Sequence, residues 1–457
     1  MKNFLYRNIG EETSIAPLVV FRMVFGLVML AGTIRFLAKG WVGSLYIQPN
    51  FYFTYFGFDW VQPLSGYGMY FVFIAMAIAA FFIAIGFLYR LSALVFFLTF
   101  TYVELLDKTN YLNHYYFVSL IAFLLLFVPA GASFSLDAVL KKTSLKTVPA
   151  WCINIFKLQM GMLYVFAGIA KLNYDWLFEA MPLKLWLAPH MDLFLIGPLM
   201  SESVTAYMFS WAGMLFDLFI VFLLLSSRWR LLGYSAVVAF HLMTALLFPI
   251  GMFPYVMIGV TLIFFSPVFH QNIIDTIKSL FRIQKDALIH TSCKVSTTWS
   301  TKMKQVILIG FFAIQLILPF RYALYPGKLF WTEEGFRFSW RVMLMEKAGF
   351  AEFFVSDEQT GKTWVVFNSD YLTPQQEKMM STQPDMILQY AHYLDKEAQN
   401  RFGMIDPKVV AEVYVSLNGS GSRPFVNSSV DLSLEKESFA HKDWILPFEK
   451  NQRIGLK

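Results

Sequence analysis

Charged residues are scarce in this 457-residue chain: Asp, Glu, Lys and Arg make up 15% of it, against about 25% in soluble domains. Hydrophobic residues make up 57% and aromatic residues 18%. This composition excludes an ordinary soluble domain and indicates a polytopic membrane protein. The net charge of +6 is modest, and no basic run is interleaved with aromatics as in a nucleic-acid groove. We therefore expect no nucleic-acid partner.

Cysteine is almost absent. The two residues of this type, Cys152 and Cys293, lie far apart in the chain, which excludes a cysteine-based metal cluster. We predict no metal site. The charges of the neighbouring loops place both cysteines at or near the cytoplasmic side, so we expect no disulfide.

Long apolar runs predict about nine membrane spans. A helix needs about 20 apolar residues to cross a bilayer, and the third, fourth and eighth runs are shorter than that. The predicted spans are 15–34, 67–88, 91–106, 115–130, 151–170, 204–225, 231–248, 255–269 and 306–320. The expected fold class is therefore mostly α, a polytopic helical membrane bundle that contacts membrane lipids.

Cations concentrate in the loops after the second, fourth, sixth and eighth spans. Such loops normally face the cytoplasm. We therefore predict a cytoplasmic N-terminus and an extracytoplasmic C-terminal region. If the host is bacterial, we expect the protein in the inner membrane. Two outer segments, 41–66 and 176–200, are apolar or aromatic but too irregular to span. We expect both to lie at the outer leaflet and to cover a cavity between helices.

The composition changes near residue 321, where Gly, Ser, Asp and Glu become more frequent. We predict a transmembrane domain at 1–320 and a small extracytoplasmic α+β domain at 321–457, a candidate for peptide binding. Apolar residues at helical spacing predict an amphipathic helix at 386–402. The predicted strands are 336–344, 351–357, 360–369, 409–417 and 423–434.

Ionisable residues within a span are costly, and they mark either function or a structural pair. Arg22 lies in the first span and Asp217 in the sixth. We favour a buried Arg22–Asp217 ion pair, with Arg22 facing a ligand as the alternative. His241 in the seventh span and His114 at the outer end of the fourth are either hydrogen-bonded structural residues or members of a site.

A single lysine, Lys171, ends the apolar run YVFAGIAKLNYDW at 164–176. Lysines at helix ends commonly extend their ammonium to water. The alternative is a general base. Lysine is normally protonated up to about pH 10.4, and burial disfavours the charged form. Lys171 can therefore act as a base only in a dry pocket.

Three motifs resemble the membrane motifs of vitamin K-dependent gamma-glutamyl carboxylases: DKTNYLNHYY, YVFAGIAKLNYDW and FHLMTALLFPIGMFPYVM. WTEEGFRFSWRVMLMEK and PDMILQYAHYL resemble the soluble region that follows in that family. The resemblance covers about residues 15 to 450. Bacterial members of the horizontally transferred transmembrane domain family share this plan.

The resemblance implies an activity. Members oxidise reduced vitamin K with O2 to its epoxide, and the base formed on the way allows CO2 to be added to a peptide glutamate. A menaquinone-like hydroquinone is the expected equivalent here. One alternative is an enzyme that oxygenates the quinol without carboxylation. The other is a non-catalytic membrane scaffold or lipid-binding protein.

The resemblance also assigns residues to roles. Lys171 matches the base, preceded by Ala170 where the family often has a second lysine. Asn113 and His114 would hold the quinone oxygens and the base. The remaining assignments are His241 and Arg22 to the quinone site, and Trp340, Arg341 and Met343 to the glutamate-containing peptide.

Overall fold

Helices dominate the chain in a computed structural model that describes residues 11–194, 196–282, 288–292 and 299–449. The longer helices before residue 320 are α1 (Ala16–Ala38), α2 (Gly68–Ile85), α3 (Tyr89–Leu106), α4 (Asn113–Leu125), α5 (Trp151–Ala170), α6 (Ser203–Leu225), α7 (Arg230–Leu247), α8 (Phe253–Thr261), α9 (Pro267–Leu280) and α10 (Trp299–Ile317). Short helices cover Trp41–Tyr46, Leu136–Leu140, Tyr174–Glu179, Leu183–Leu187, Gly197–Met200 and Leu329–Thr332.

Seven helices in the described part of the chain are long and apolar enough to cross a membrane: α1, α2, α3, α5, α6, α7 and Lys302–Leu324, which includes most of α10. The prediction of a polytopic helical membrane protein is confirmed. Two of the nine predicted spans differ from expectation. The fourth predicted span is only a 13-residue helix, α4. The eighth is a pair of helices with a sharp bend between them, which counts as one further span only if both halves are taken together.

Both differences have local causes. Helix α4 ends at Leu125. Pro129, four residues later, has no N–H to donate to the Leu125 carbonyl, and in a continued helix its ring would clash with that carbonyl. The Leu125 carbonyl instead accepts a hydrogen bond from Tyr89 Oη at 2.8 Å. The eighth predicted span breaks between Phe253–Phe264 and α9, which meet at 116°. Ser266 caps α9 and a proline follows it, a combination that starts a new helix.

A small sheet that the sequence did not predict joins three distant segments. Strands β1 (Glu12–Ser14), β2 (Thr143–Pro149) and β3 (Ile289–Ser292) lie in that order, antiparallel and then parallel. They precede α1, α5 and α10 respectively. The three strands lie at one end of the bundle, and the loop charges predict that their segments lie in the cytoplasm. Which side of the membrane this end faces stays a prediction.

The C-terminal region forms the opposite end. Its antiparallel sheet has the order β5-β4-β6-β7, with β4 (Lys347–Ser356), β5 (Thr363–Val366), β6 (Lys408–Leu417) and β7 (Ser422–Pro424). Helices α11 (Pro374–Met380) and α12 (Pro384–Phe402) pack beside it. The predicted helix at 386–402 and the strands at 351–357 and 409–417 are confirmed. The strand predicted at 360–369 is limited to Thr363–Val366, and the strand predicted at 423–434 ends at Pro424. The domain boundary at 320 stays a prediction.

The predicted strand at 336–344 is wrong. Phe338, Trp340 and Met343 have φ values of 62°, 59° and 53°, in the left-handed region that a strand cannot contain. Residues 336–340 form turns, residues 341–344 have no helix or strand, and Trp340 is fully buried. Left-handed residues that are not glycine carry strain and concentrate at functional sites. The strain makes this segment a candidate part of a site.

The two outer segments lie between the helices and the C-terminal region. Phe53 from the first and Trp176, Leu183 and Leu187 from the second belong to the same hydrophobic cluster as the C-terminal core. Gln389 of α12 donates to Thr54 Oγ1 at 2.9 Å. These segments therefore bury their aromatic surface against protein, in addition to any contact with lipid.

Candidate functional site

A cavity of about 1010 Å³ lies between helices α4 to α8 and the segment 333–347. Its volume is at the upper end of the usual range for ligand sites, about 300–1,000 Å³. The cavity brings together most of the residues that the sequence singled out: Asn113, His114, Lys171, Asp217, His241, Arg341 and Met343.

Lys171 lies at the C-terminal end of α5, with its Nζ 2.6 Å from Asp217 Oδ2 on α6. Both residues are buried, with 6% and 5% of their surface exposed, and the Trp176 ring lies 5.4 Å from Nζ. A Cβ at Gly168 would stand 2.8 Å from the backbone nitrogen of Leu218. The glycine therefore allows the close approach of α5 and α6 that joins the pair.

The predicted Arg22–Asp217 pair is wrong. The Arg22 guanidinium donates to the carbonyls of Phe134 at 2.7 Å and Ile83 at 3.3 Å. Ile83 lies in the last turn of α2, where carbonyls lack a partner within the helix. Arg22 is fully buried there and does not line the cavity. Its contacts are structural and give no support to the predicted role in quinone binding.

The three polar residues predicted for the quinone differ in their bonding. Asn113 accepts from Tyr111 Oη and donates to the Arg341 carbonyl, both at 3.0 Å. His241 Nε2 lies 3.2 Å from Tyr164 Oη. The His114 ring stacks on Phe253 at 5.1 Å. In the described part of the chain no protein group bonds the His114 nitrogens, so they are available to a ligand.

The residues predicted for peptide binding separate into two groups. Arg341 and Met343 line the cavity, whereas Trp340 does not. Trp340 is fully buried, and its ring packs 5.1 Å from that of Tyr116, so it offers no surface to a peptide. The Arg341 guanidinium lies 4.2 Å from the Tyr322 ring. No carboxylate of the described residues is within ion-pair distance of it, and its buried Nε lacks a partner.

The wall formed with the C-terminal region carries more cations than carboxylates. This cationic wall is lined by Lys108, Arg337, Arg341, Lys347 and Lys378, together with the carboxylates of Glu333 and Glu346. Lys347 Nζ lies 2.8 Å from Glu333 Oε1. Burial lowers the pKa of Lys347, although the Glu333 carboxylate opposes that shift. This wall can attract an anionic ligand.

Comparison with known protein families agrees with the two parts of the fold. Residues 11–269 match the HTTM domain, and residues 300–451 match the vitamin K-dependent gamma-carboxylase, lumenal domain. The chain belongs to the vitamin K-dependent gamma-carboxylase family. No solved structure matches it. In this gamma-carboxylase family member the cavity lies between the two matched regions, with Lys171 and His114 from the first and Arg341 and Met343 from the second.

Two acidic residues in the membrane helices were not correctly predicted from the sequence. Asp217 was paired with Arg22 and not with Lys171. Glu104 on α3 was not singled out, although it lines a second cavity of about 320 Å³. An acid within an apolar span is itself a signal, and it could have identified Glu104. No group of three or more His, Cys, Asp or Glu among the described residues could hold a metal ion.

Cys152 is a buried thiol in α5, and Cys293 lies outside the described residues. The absence of a disulfide therefore stays a prediction.

Proposed function

We propose that the chain is a vitamin K-dependent gamma-carboxylase, which oxygenates a reduced naphthoquinone and adds CO2 to a peptide glutamate. The observation that carries the proposal is the buried Lys171–Asp217 pair at 2.6 Å, in one cavity with His114 and Arg341. Membership of the family supports the reaction class.

The cavity fits a naphthoquinol. Trp176, Phe216, Phe240 and Phe253 offer aromatic surface to a flat ring, and the unbonded nitrogens of His114 can meet a quinol oxygen. Asn113 retains one N–H and a lone pair beyond its two protein bonds, and His241 lies on the same wall. When bound, the reduced quinone supplies, with O2, the oxidation that yields a base strong enough to deprotonate glutamate.

The Lys171–Asp217 pair can take up one proton. If the amine is charged at rest, the Asp217 carboxylate is the acceptor. If the proton already lies on Asp217, the amine is the acceptor. Both routes end with a protonated lysine beside a protonated acid, so the basic function belongs to the coupled pair. A neutral lysine held only by dry surroundings is therefore not required.

Burial of this pair keeps bulk water from the reacting centre. Deprotonated glutamate would be quenched by water before it captured CO2, and a closed site prevents that side reaction. The same low-polarity surroundings strengthen the interaction between Lys171 and Asp217.

The cationic wall suits the peptide substrate. Glutamate arrives with one negative charge and leaves, once carboxylated, with two. No carboxylate of the described residues lies within ion-pair distance of Arg341, and its planar guanidinium matches carboxylate geometry. We propose that Arg341 and Met343 contact the glutamate side chain, on the side of the C-terminal region, which the loop charges predict to be extracytoplasmic.

The test supplies purified protein with reduced 2-methyl-1,4-naphthoquinone, O2, a glutamate peptide and labelled bicarbonate. We expect label in the peptide and epoxide formation. Lys171→Ala should lower both by a factor of about 10²–10⁴, as expected for loss of a general base. Lys184→Ala, a lysine that does not line the cavity, serves as the matched control and should retain activity.

The other outcomes discriminate the alternatives. Epoxide without label would indicate quinol oxygenation alone. Absence of both products would favour a scaffold or lipid-binding protein and contradict the proposal. Equal activity of Lys171→Ala and the unmodified chain would contradict the assignment of the base.

A further inference from the structure

The second cavity, of about 320 Å³, lies between helices α3, α4 and α10 and the turn that carries Phe338. Of the described residues that line it, only Tyr111 also lines the large cavity. All of its lining residues are half-buried, so the cavity is reached from the surface of the protein. Only 17% of the most apolar part of the span at Lys302–Leu324 is buried. The surface beside the cavity therefore faces lipid.

Aromatic rings form most of the cavity wall. Three tyrosine rings surround Phe338, with ring centres 5.8 Å away for Tyr55, 5.0 Å for Tyr111 and 4.9 Å for Tyr116. The other aromatic side chains of the wall are Phe97, Phe123 and Phe311. Aromatic rings around a small space attract organic ammonium ions through their quadrupoles. The cavity therefore suits a cation better than an anion.

A carboxylate without a protein partner lines the same cavity. Glu104 lies in the last turn of α3, and no cation or hydrogen-bond donor of the described residues is within bonding distance of it. A carboxylate in apolar surroundings is costly unless it is paired. An ammonium group in the cavity would supply the missing partner.

A hydroxyl group on the same helix face also lacks a partner. Thr101 is three residues before Glu104, so the two side chains are neighbours on α3. The Thr101 Oγ1 atom is buried, and none of the described residues bonds it. A primary ammonium carries three N–H donors, as lysine does, and it can donate to both residues. A quaternary ammonium has no N–H and would leave the Thr101 hydroxyl unbonded.

An unpaired cation lies next to the aromatic cluster. The Arg321 guanidinium is 5.9 Å from the Phe338 ring and donates to the Arg337 carbonyl at 2.8 Å. No carboxylate of the described residues is within ion-pair distance of it. The planar guanidinium matches phosphate geometry. Glu104 and Arg321 both lie near the ends of candidate spans, which is the level of lipid headgroups.

We infer that the second cavity binds the headgroup of a phospholipid that carries a primary ammonium, as phosphatidylethanolamine does. Its ammonium would lie at Glu104 and Thr101, and its phosphate at Arg321. The unpaired acid and the unpaired cation match the two charges of this headgroup, and the position beside lipid favours a phospholipid over a soluble amine. The inference does not depend on the proposed function.

The test titrates delipidated protein in detergent and measures lipid binding by native mass spectrometry. Three phospholipids with identical acyl chains are compared: phosphatidylethanolamine, phosphatidylcholine and phosphatidylglycerol. The variants are Glu104→Gln and Thr101→Val, both of nearly unchanged volume. Glu202→Gln, an exposed residue before α6, and Thr99→Val on α3 are the matched controls, since neither lines a cavity. Melting temperatures verify that each variant is folded.

We expect phosphatidylethanolamine to bind most tightly. Glu104→Gln should weaken its binding by about tenfold or more, which is about 1.4 kcal/mol, and Thr101→Val by about threefold or more, for one lost hydrogen bond. Binding of phosphatidylglycerol should change by less than about twofold, and so should all binding to the controls.

Three results would overturn the inference. The first is binding of phosphatidylethanolamine no tighter than that of the other two lipids. The second is unchanged binding in both Glu104→Gln and Thr101→Val. The third is displacement of the lipid by an equal concentration of soluble phosphoethanolamine, which would show that the site takes the free amine.

Discussion

The ion pair between Lys171 and Asp217 is the most consequential side-chain contact in the cavity. Both partners are buried, and their separation of 2.6 Å makes them one coupled group. A buried charge without its partner is strongly unfavourable, whereas replacing both partners with apolar residues is often neutral. Stability and chemistry can therefore be separated at this pair.

Asp217→Asn should lower the free energy of unfolding by about 3–5 kcal/mol, because the buried ammonium loses its counter-charge. The double variant Lys171→Met with Asp217→Leu should recover most of that loss. Thermal unfolding of the detergent-solubilised protein measures both effects. Quinol oxygenation should be lost in the single and in the double variant. A double variant as unstable as Asp217→Asn would contradict the pairing.

Among the helices, the junction of α1 with the end of α2 explains why Arg22 is buried. Gly86 ends α2 with a φ of 68°, and a Cβ there would stand 1.7 Å from Arg22 Nη1. The guanidinium occupies the space that a side chain would need. The contact thus ties α1 to α2 and to the segment that carries Phe134.

Gly86→Ala should displace Arg22 from the carbonyls of Ile83 and Phe134. Gly40→Ala is the matched control, since Gly40 has a φ of 69° with no atom near the added Cβ. We expect the control to lose about 1–2 kcal/mol from the left-handed backbone alone. Gly86→Ala should lose at least about 2 kcal/mol more, because a buried charged donor is left unsatisfied. Similar melting temperatures for the two variants would show that the Arg22 contact contributes little.

The helical and C-terminal parts of the protein are joined by a charge cluster, in which Lys108 is buried and the Asp385 side chain is 29% exposed. Asp385, at the start of α12, contacts Lys108 at 3.0 Å and Arg337 at 2.6 Å. Lys108 lies just after α3, so this cluster crosses from one matched region to the other. Burial opposes ionisation of Asp385, but Arg337 and Lys108 outweigh it and lower the pKa of the carboxyl well below its usual range.

The sign of the resulting pH dependence follows from this shift. A carboxyl whose pKa is lower in the folded state contributes stability above its unfolded value of about 3.9 and loses that contribution as the pH falls from about 5. Melting temperature should therefore drop between pH 6 and pH 3.5. Asp385→Asn should be less stable at pH 6 by about 1.5–3 kcal/mol, with a flatter acid profile. A variant with the unmodified profile would assign the acid loss to other groups.

Composition, the order of apolar runs and the three membrane motifs sufficed for the class of protein and most of the helices. They also singled out Lys171, Asn113, His114 and His241, which line one cavity. These properties are local, because burial in lipid imposes long apolar runs and a motif is read along the chain. The helix at 386–402 and the main strands of the C-terminal sheet could be predicted for the same reason, because the hydrophobic periodicity of each lies within one segment.

Contacts between distant segments required the folded chain. The partner of Asp217 depends on which helix faces lie together, and no spacing distinguishes Arg22 from Lys171. The strand predicted at 336–344 has alternating apolar residues, but burial of Trp340 against α4 imposes left-handed turns instead. The cavity that holds Lys171 and His114 lies between helices α4 to α8 and the segment 333–347, and such a space exists only once these elements are packed.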